Sequence, residues 1–357
     1  MIDESNSSQS HYYFKWITNL AARFNLNKTG QICSILVHCN YEKNKAVFSP
    51  TNQNEMNYDI IGDIHGHADE LEVLLKKLNY RKQGGIYEHA DNRKVIFLGD
   101  FIDRGPQIRR VLHIVKDMMD AGNAEAIMGN HEFNAIAFHT PNLNANEGGF
   151  YRKHNYKEIQ QHLATLEQFH KFQSEWTDFL SWFKSLPIFI EKDNFKAVHA
   201  CWDQAHVNWL RENFNGFDDD FLRGSTTKNT DSYWVIEELL KGKEERLPEG
   251  HSFFDKDGHE RRHCRLKWWQ PLEKRRILGD VMMACPDSLS ENLITKEYYD
   301  YQDNKTVFFG HYWLKGLPKL ENRNAICLDY SVAKGGVLAA YRTEYLESAT
   351  PENGFVF

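Results

Sequence analysis

Aspartate, histidine, asparagine and arginine recur in this sequence within three short stretches punctuated by glycine: Gly62-Asp63-Ile64-His65-Gly66, Gly99-Asp100-Phe101-Ile102-Asp103-Arg104-Gly105 and Gly129-Asn130-His131-Glu132. Each directly follows an apolar run, and two more histidines, His199 and His311, close apolar runs further along. Metal-competent side chains therefore stand at five strand-like ends. Packing alone rarely produces such a set. Carboxylate, imidazole and carboxamide without thiolate suit manganese, iron or zinc better than a structural cysteine-zinc site.

The elements that must position these residues are legible from periodicity. Residues 58–61, 95–98 and 126–128 are short apolar runs ended by glycine and a polar residue, the pattern of buried parallel strands. Between them, Ala68, Leu71, Leu74, Leu75 and Leu78 fall on one helical face, and so do Ile108, Val111, Leu112, Val115 and Met119. Right-handed crossovers then bring all three carboxyl ends to one sheet edge, where open α/β sheets carry ligands. Further along, residues 159–186 read as one helix closed by Pro187. Residues 188–190 and 195–198 read as a hairpin, 231–240 as a helix with Gly242 after it, and 306–309 as a strand. Residues 325–328 and 337–341, with a bend over 329–336, read as a closing β-hairpin, and Pro141 to Gly149 as a turn-rich loop.

Composition sets outer bounds. The 357 residues suffice for a large core, and a net charge of −7 argues against nonspecific nucleic-acid binding. No apolar run approaches the ~20 residues of a membrane helix, and the first residues show no secretory pattern. Six scattered cysteines without a Cys-x-x-Cys pair indicate free thiols in a reducing compartment, so a cytoplasmic location away from membranes is expected.

The three glycine-bounded stretches, in this order and spacing, resemble the signature of the PPP-type phosphoprotein phosphatases of the calcineurin-like metallophosphoesterase superfamily. Val198-His199-Ala200 and Gly310-His311 resemble its fourth and fifth motifs, and Cys327-Leu328-Asp329 with Gly335-Gly336 resembles the closing hairpin of bacterial members, among them cold-active protein-tyrosine phosphatases. The resemblance implies an α/β fold with a central β-sandwich of mixed sheets flanked by helices over residues 57–345. An N-terminal extension (1–56), an insertion (about 203–300) and a C-terminal tail (346–357) would complete the chain. It further implies two divalent metal ions (manganese, iron or zinc, with magnesium or calcium as substitutes in a crystal). Asp63 and His65 would hold the first, Asp100 would bridge both, and Asn130, His199 and His311 would hold the second. His131 would act as general acid with Asp103 on its other nitrogen. Arg104, and Asn130 beside it, would bind phosphate, while Glu132 would orient its neighbours. The second phosphate-binding arginine of the eukaryotic enzymes does not align; Arg265 or Arg262 is the candidate, against a solvated basic turn. Trp313 stands where many metallophosphoesterases place a second histidine, Ala200-Cys201-Trp202 replaces glycines after the fourth motif, and Asp329-Tyr330-Ser331 departs from the usual threonine and glycine.

The implied activity is hydrolysis of phosphorylated protein or peptide, by a metal-activated hydroxide. Tyr233, Trp234, Trp268, Trp269, Tyr312 and Trp313 are rings that could stack on phosphotyrosine, although most of them read as core. Two alternatives stand beside it: a diadenosine tetraphosphate hydrolase, which shares the motifs, and an inactive phosphatase fold that binds a phosphorylated partner. Cysteine-based tyrosine-phosphatase chemistry is excluded, because no cysteine has an arginine six residues on. The oligomeric state is open.

Overall fold

The computed structural model describes residues 56–142, 149–254 and 260–357. The expected N-terminal extension, except Met56, and the centre of the Pro141–Gly149 loop lie outside the described residues.

The first half is built as the periodicity dictates. Strand β1 (Tyr58–Ile61) leads to helix α1 (Ala68–Lys77), and after a hairpin of β2 (Tyr80–Gln83) and β3 (Ile86–His89) come β4 (Lys94–Phe97), α2 (Ile108–Asp120), β5 (Ala124–Ala126) and α3 (Asn130–His139). The third strand is thus two residues earlier than its apolar run suggests; past it, Met128 N–H donates instead to the Pro187 carbonyl. β4 pairs in parallel with β1 and with β5, while β16 (Ala340–Arg342) adds antiparallel to the other side of β1, followed by β17 (Phe355–Val356). The buried Asp59 of β1 holds both the start of β2 and the residue before β4. Arg93 grips the Asp59 carboxylate at 2.8 and 3.1 Å, and the Tyr80 hydroxyl donates to it at 3.0 Å.

The second half supplies the other sheet. The expected helix over 159–186 is two helices, α4 (Tyr156–Phe169) and α5 (Gln173–Phe183), because the backbone breaks after Phe169 and Phe172 starts a new amphipathic turn. The hairpin of β6 (Phe189–Glu191) and β7 (Phe195–Val198) forms as expected. The region after it is more helical than its sequence suggests: α6 (Gln204–Asn213), α7 (Asp219–Thr226) and α8 (Asp231–Lys241) precede small ribbons of β8 (Glu244–Arg246) with β11 (His263–Arg265) and β9 (Phe253–Phe254) with β10 (Glu260–Arg261). β12 (Thr306–Phe309) lies parallel between β7 and β13 (Ala325–Cys327). The closing hairpin is shorter than expected. Only β14 (Asp329–Tyr330) and β15 (Val337–Leu338) pair, and the chain then crosses to the first sheet as β16.

The two sheets face each other as a sandwich. Ile60, Ile96, Leu98 and Ile127 from the first interdigitate with Phe195, Ala197, Phe308 and Ile326 from the second. The opposite faces, with Ile61, Val95 and Phe97 or Val198, Val307 and Phe309, are covered by helices and loops. Because β1, β4, β7 and β12 are buried on both faces, they are mostly apolar rather than alternating, and the charges inside β1 and β7, Asp59 and Lys196, are paired with Arg93 and Asp303.

Candidate metal centre

The carboxyl ends of β1, β4, β7 and β12 and the start of α3 meet on one rim, and the expected residues converge there. His65 Nε2 lies 3.4 Å from Asp100 Oδ2, and His199 Nε2 lies 3.4 Å from Asp100 Oδ1. Asn130 Oδ1 is 3.1 Å from His199 Nε2. Ligand atoms of His65, Asp100 and His131, and of Asp100, His199 and His311, each fall within 4.8 Å of one another. Asp63 enters from β1 and accepts the His311 backbone N–H at 3.0 Å. Gly310 makes room for it, since a Cβ there would stand 1.9 Å from Asp63 Oδ1. Gly99 serves the same end: its φ is +87°, and a Cβ would stand 2.3 Å from the Gly129 nitrogen, so the second and third motifs can touch. His65, Asp100, Asp103, Arg104, His311 and Trp313 also have positive φ, a concentration of backbone strain at one place.

Ring orientation is set from behind. His65 Nδ1 bonds to the Ile102 carbonyl at 2.9 Å, and His199 Nδ1 to the Leu98 carbonyl at 2.7 Å, so each presents Nε2 to the centre. Yet Asp63 Oδ1, His65 Nε2, Asp100 Oδ2 and both nitrogens of His311 are buried without a hydrogen-bond partner. Leaving such groups unpaired costs about 1–3 kcal/mol each. A cluster of unpaired acceptors around one carboxylate fits divalent cations. Burial, Asp329 and Asp100 push Asp63 well above the usual carboxylate range, whereas Asp100, also buried, is held well below it by His199 and His131. Burial and Arg104 push His65 down to about 3, and burial and Arg265 push His311 well below the usual imidazole range. Neutral imidazoles are the form that binds metal. His199 differs: burial opposes its charge, but Asp100 raises it to about 10.

Beside the centre, His131 Nδ1 lies 2.5 Å from Asp103 Oδ2, and its Nε2 faces an Arg104 N–H at 3.1 Å. Arg104 also stacks on Trp313, with its guanidinium carbon 3.8 Å from the ring centroid, and the Lys334 ammonium lies 3.2 Å from the same centroid. Glu132 ties the motifs together. One carboxylate oxygen accepts the N–H groups of Asp100 and Gly129 at 2.8 and 3.0 Å, and the other accepts those of Phe101 and Ile102 at 2.8 and 3.3 Å.

Residues 56–312, more than half of the chain, match the calcineurin-like phosphoesterase family. The chain belongs to that family. Its calcineurin-like fold and hydrolase class follow. Among curated relatives, the asymmetrical bis(5'-nucleosyl)-tetraphosphatases PrpE of Oceanobacillus iheyensis and Bacillus subtilis are 46% and 41% identical over 76 residues, 21% of this chain. The match spans only 30–31% of those relatives' length. Among solved structures, a cold-active protein-tyrosine phosphatase of a psychrophilic Shewanella is 17% identical, covering 80% of this chain and 75% of that one at a TM-score of 0.39. A protein serine/threonine phosphatase from Saccharomyces cerevisiae is 14% identical, covering 82% and 74% at a TM-score of 0.42. Overlaps at this level say nothing about activity.

In this phosphoesterase all six expected ligands, and Asp103, Arg104 and His131, meet at the rim. Arg265 stands near enough to depress His311, with its guanidinium carbon 5.9 Å from the Tyr312 ring centroid, while Arg262 is exposed on the surface. Of the rings considered for phosphotyrosine, Trp268, Trp269 and Tyr312 are buried together against Phe309, with Tyr312 also edge-on to His311, while Trp313 borders the metal centre through Arg104. Cys201 is buried, and burial pushes its thiol well above the usual range, so it is no nucleophile. Sequence reading missed His162 and Thr165, which bond to Asp103 from α4, and Asp329, which accepts the Trp313 and Ser331 N–H groups. A second acidic group, Asp203, His206 and Glu238, is neutralised by Lys243. No helix among the described residues is long and apolar enough to cross a membrane.

Proposed function

We propose that this phosphoesterase hydrolyses phosphate monoesters on protein side chains at a dinuclear centre, as a bacterial member of the PPP-type branch. The observation that carries the reading is the pairing of the orphaned ligand cluster with the Asp103–His131 dyad. Asp63 and His65 would hold one cation, Asn130, His199 and His311 the other, with Asp100 between them. When bound, a pair of divalent ions supplies Lewis acidity and a deprotonated water at neutral pH. The chain's own residues do the rest. Asp103 fixes His131 with Nδ1–H toward the carboxylate, leaving Nε2 to carry the proton for the leaving oxygen. Arg104 binds the phosphate oxygens, and in doing so its N–H turns from His131 Nε2 to the stronger phosphate acceptor. A proton donor matters most for poor leaving groups, which favours serine, threonine or tyrosine esters over anhydrides.

A second reading, hydrolysis of a dinucleoside polyphosphate, is supported by the curated relatives' names and by the Arg104–Trp313–Lys334 stack. Two cations gathered on one ring beside the metal centre suit the several charges of a polyphosphate. The discriminating experiment compares kcat/KM on phosphoserine, phosphothreonine and phosphotyrosine peptides and diadenosine tetraphosphate, using full-length protein of known metal content. Preference for the dinucleotide would overturn the phosphoprotein reading. Inactivity on every substrate, p-nitrophenyl phosphate included, would return the chain to the phosphate-binding class.

A further inference from the structure

We infer that one face of helix α4, carrying His162, Thr165 and Gln168, is a positioning device for the acid group, holding the Asp103 loop so that Oδ2 meets His131. The inference rests on the reading of His131 as proton donor. The three residues are spaced three apart, which keeps them on one side of the helix. All three reach the same loop. His162 Nδ1 lies 2.7 Å from Asp103 Oδ1. The Thr165 hydroxyl donates to Oδ1 at 2.5 Å and accepts the Asp103 backbone N–H at 3.1 Å. Gln168 accepts the Ile108 N–H at 2.7 Å and donates to the Gly105 carbonyl at 3.0 Å.

The loop needs such a clamp. Asp103 and Arg104 are consecutive non-glycine residues at φ +66° and +70°, a conformation that persists only when the surroundings enforce it. Helix α4 also divides the carboxylate's labour. Oδ1 is occupied by His162 and Thr165, so Oδ2 is left to His131. His162 is itself held from both sides: Nδ1 faces Asp103, and Nε2 lies 3.1 Å from His139 Nε2, which also meets the Trp176 indole N–H at 3.2 Å. Although burial works against it, Asp103 is held below the usual carboxylate range by His162 first and His131 next.

The test uses metal-loaded full-length protein and three variants. His162→Gln and Thr165→Val should each lower kcat on phenyl phosphate about 10–100-fold, the range for loss of an orienting partner. The loss should be smaller on p-nitrophenyl phosphate, KM and bound metal should not change, and Thr165→Ser should restore the rate. In proton NMR spectra, the downfield imidazole N–H signal of the His131–Asp103 bond should shift or vanish in His162→Gln and persist in Thr165→Ser. Equal losses on both substrates, lost metal, or an unmoved NMR signal would each reduce α4 to a structural prop and overturn the inference. His131→Asn, run in parallel, separates the two claims. If it shows no leaving-group dependence the acid reading itself falls, whereas if it does and the α4 variants do not, only the positioning role falls.

Discussion

Glu132 offers a sharp test, because replacing it by glutamine changes almost no volume and exchanges one oxygen for an amide nitrogen. Its carboxylate accepts four backbone N–H groups, two on each oxygen, from Gly129 and Asp100 to Ile102. An amide keeps one oxygen and turns the other acceptor into a donor. Whichever way it sits, two buried N–H groups lose their acceptor and face another N–H. At about 1–3 kcal/mol for each unpaired donor, the gross loss is about 2–6 kcal/mol. Some is recovered, since the neutral amide removes a charge buried beside Asp100. A net loss of about 2–4 kcal/mol is therefore expected for Glu132→Gln, a large part of a typical domain's stability. Urea unfolding of the metal-free protein, with the slope unchanged between wild type and variant, measures it directly. A loss below about 1 kcal/mol would refute the reasoning that Glu132 joins the second and third motifs through those four bonds.

Asp100→Asn should abolish activity and weaken both metal positions, read by metal analysis of the purified variant; normal turnover would reject the bridging role. His131→Asn should retain metal and slow turnover by ~10²–10⁴-fold, with a smaller loss on substrates that have good leaving groups. Arg93→Met should destabilise the fold by about 3 kcal/mol in denaturant titration, because Asp59 is left charged and buried. The pH dependence of stability has a defined sign at His139. Burial, then His162 and His154, lower it to about 4, so the unfolded chain takes up a proton that the native state refuses. Its contribution is full above the ordinary imidazole range and is lost as pH falls toward 4. His139→Phe should flatten that part of the stability profile, and an unchanged slope would show that other groups govern it.

What the linear chain determined is local and periodic. Apolar runs ending in aspartate, histidine or asparagine, in all but β7 after a glycine, identified β1, β4, β5, β7 and β12 and the six candidate ligands beyond their ends, because a strand's burial and its termination are written in nearby residues. The apolar stripes of α1 and α2 were legible for the same reason. Tertiary structure decided the rest. Nothing near His162, Thr165 or Gln168 in sequence announces that they grip a loop about sixty residues earlier. Nor does Ala340–Arg342 signal that it leaves a hairpin to pair with Tyr58–Ile61 across the whole domain. The tryptophans at 268 and 269 could have stacked on a substrate ring although core was the favoured reading, and the packing of Phe309 and Tyr312 around them made it core. Hydrogen-bond partners and burial depend on which distant segments arrive, and that information resides in the assembled sandwich rather than in any window of the chain.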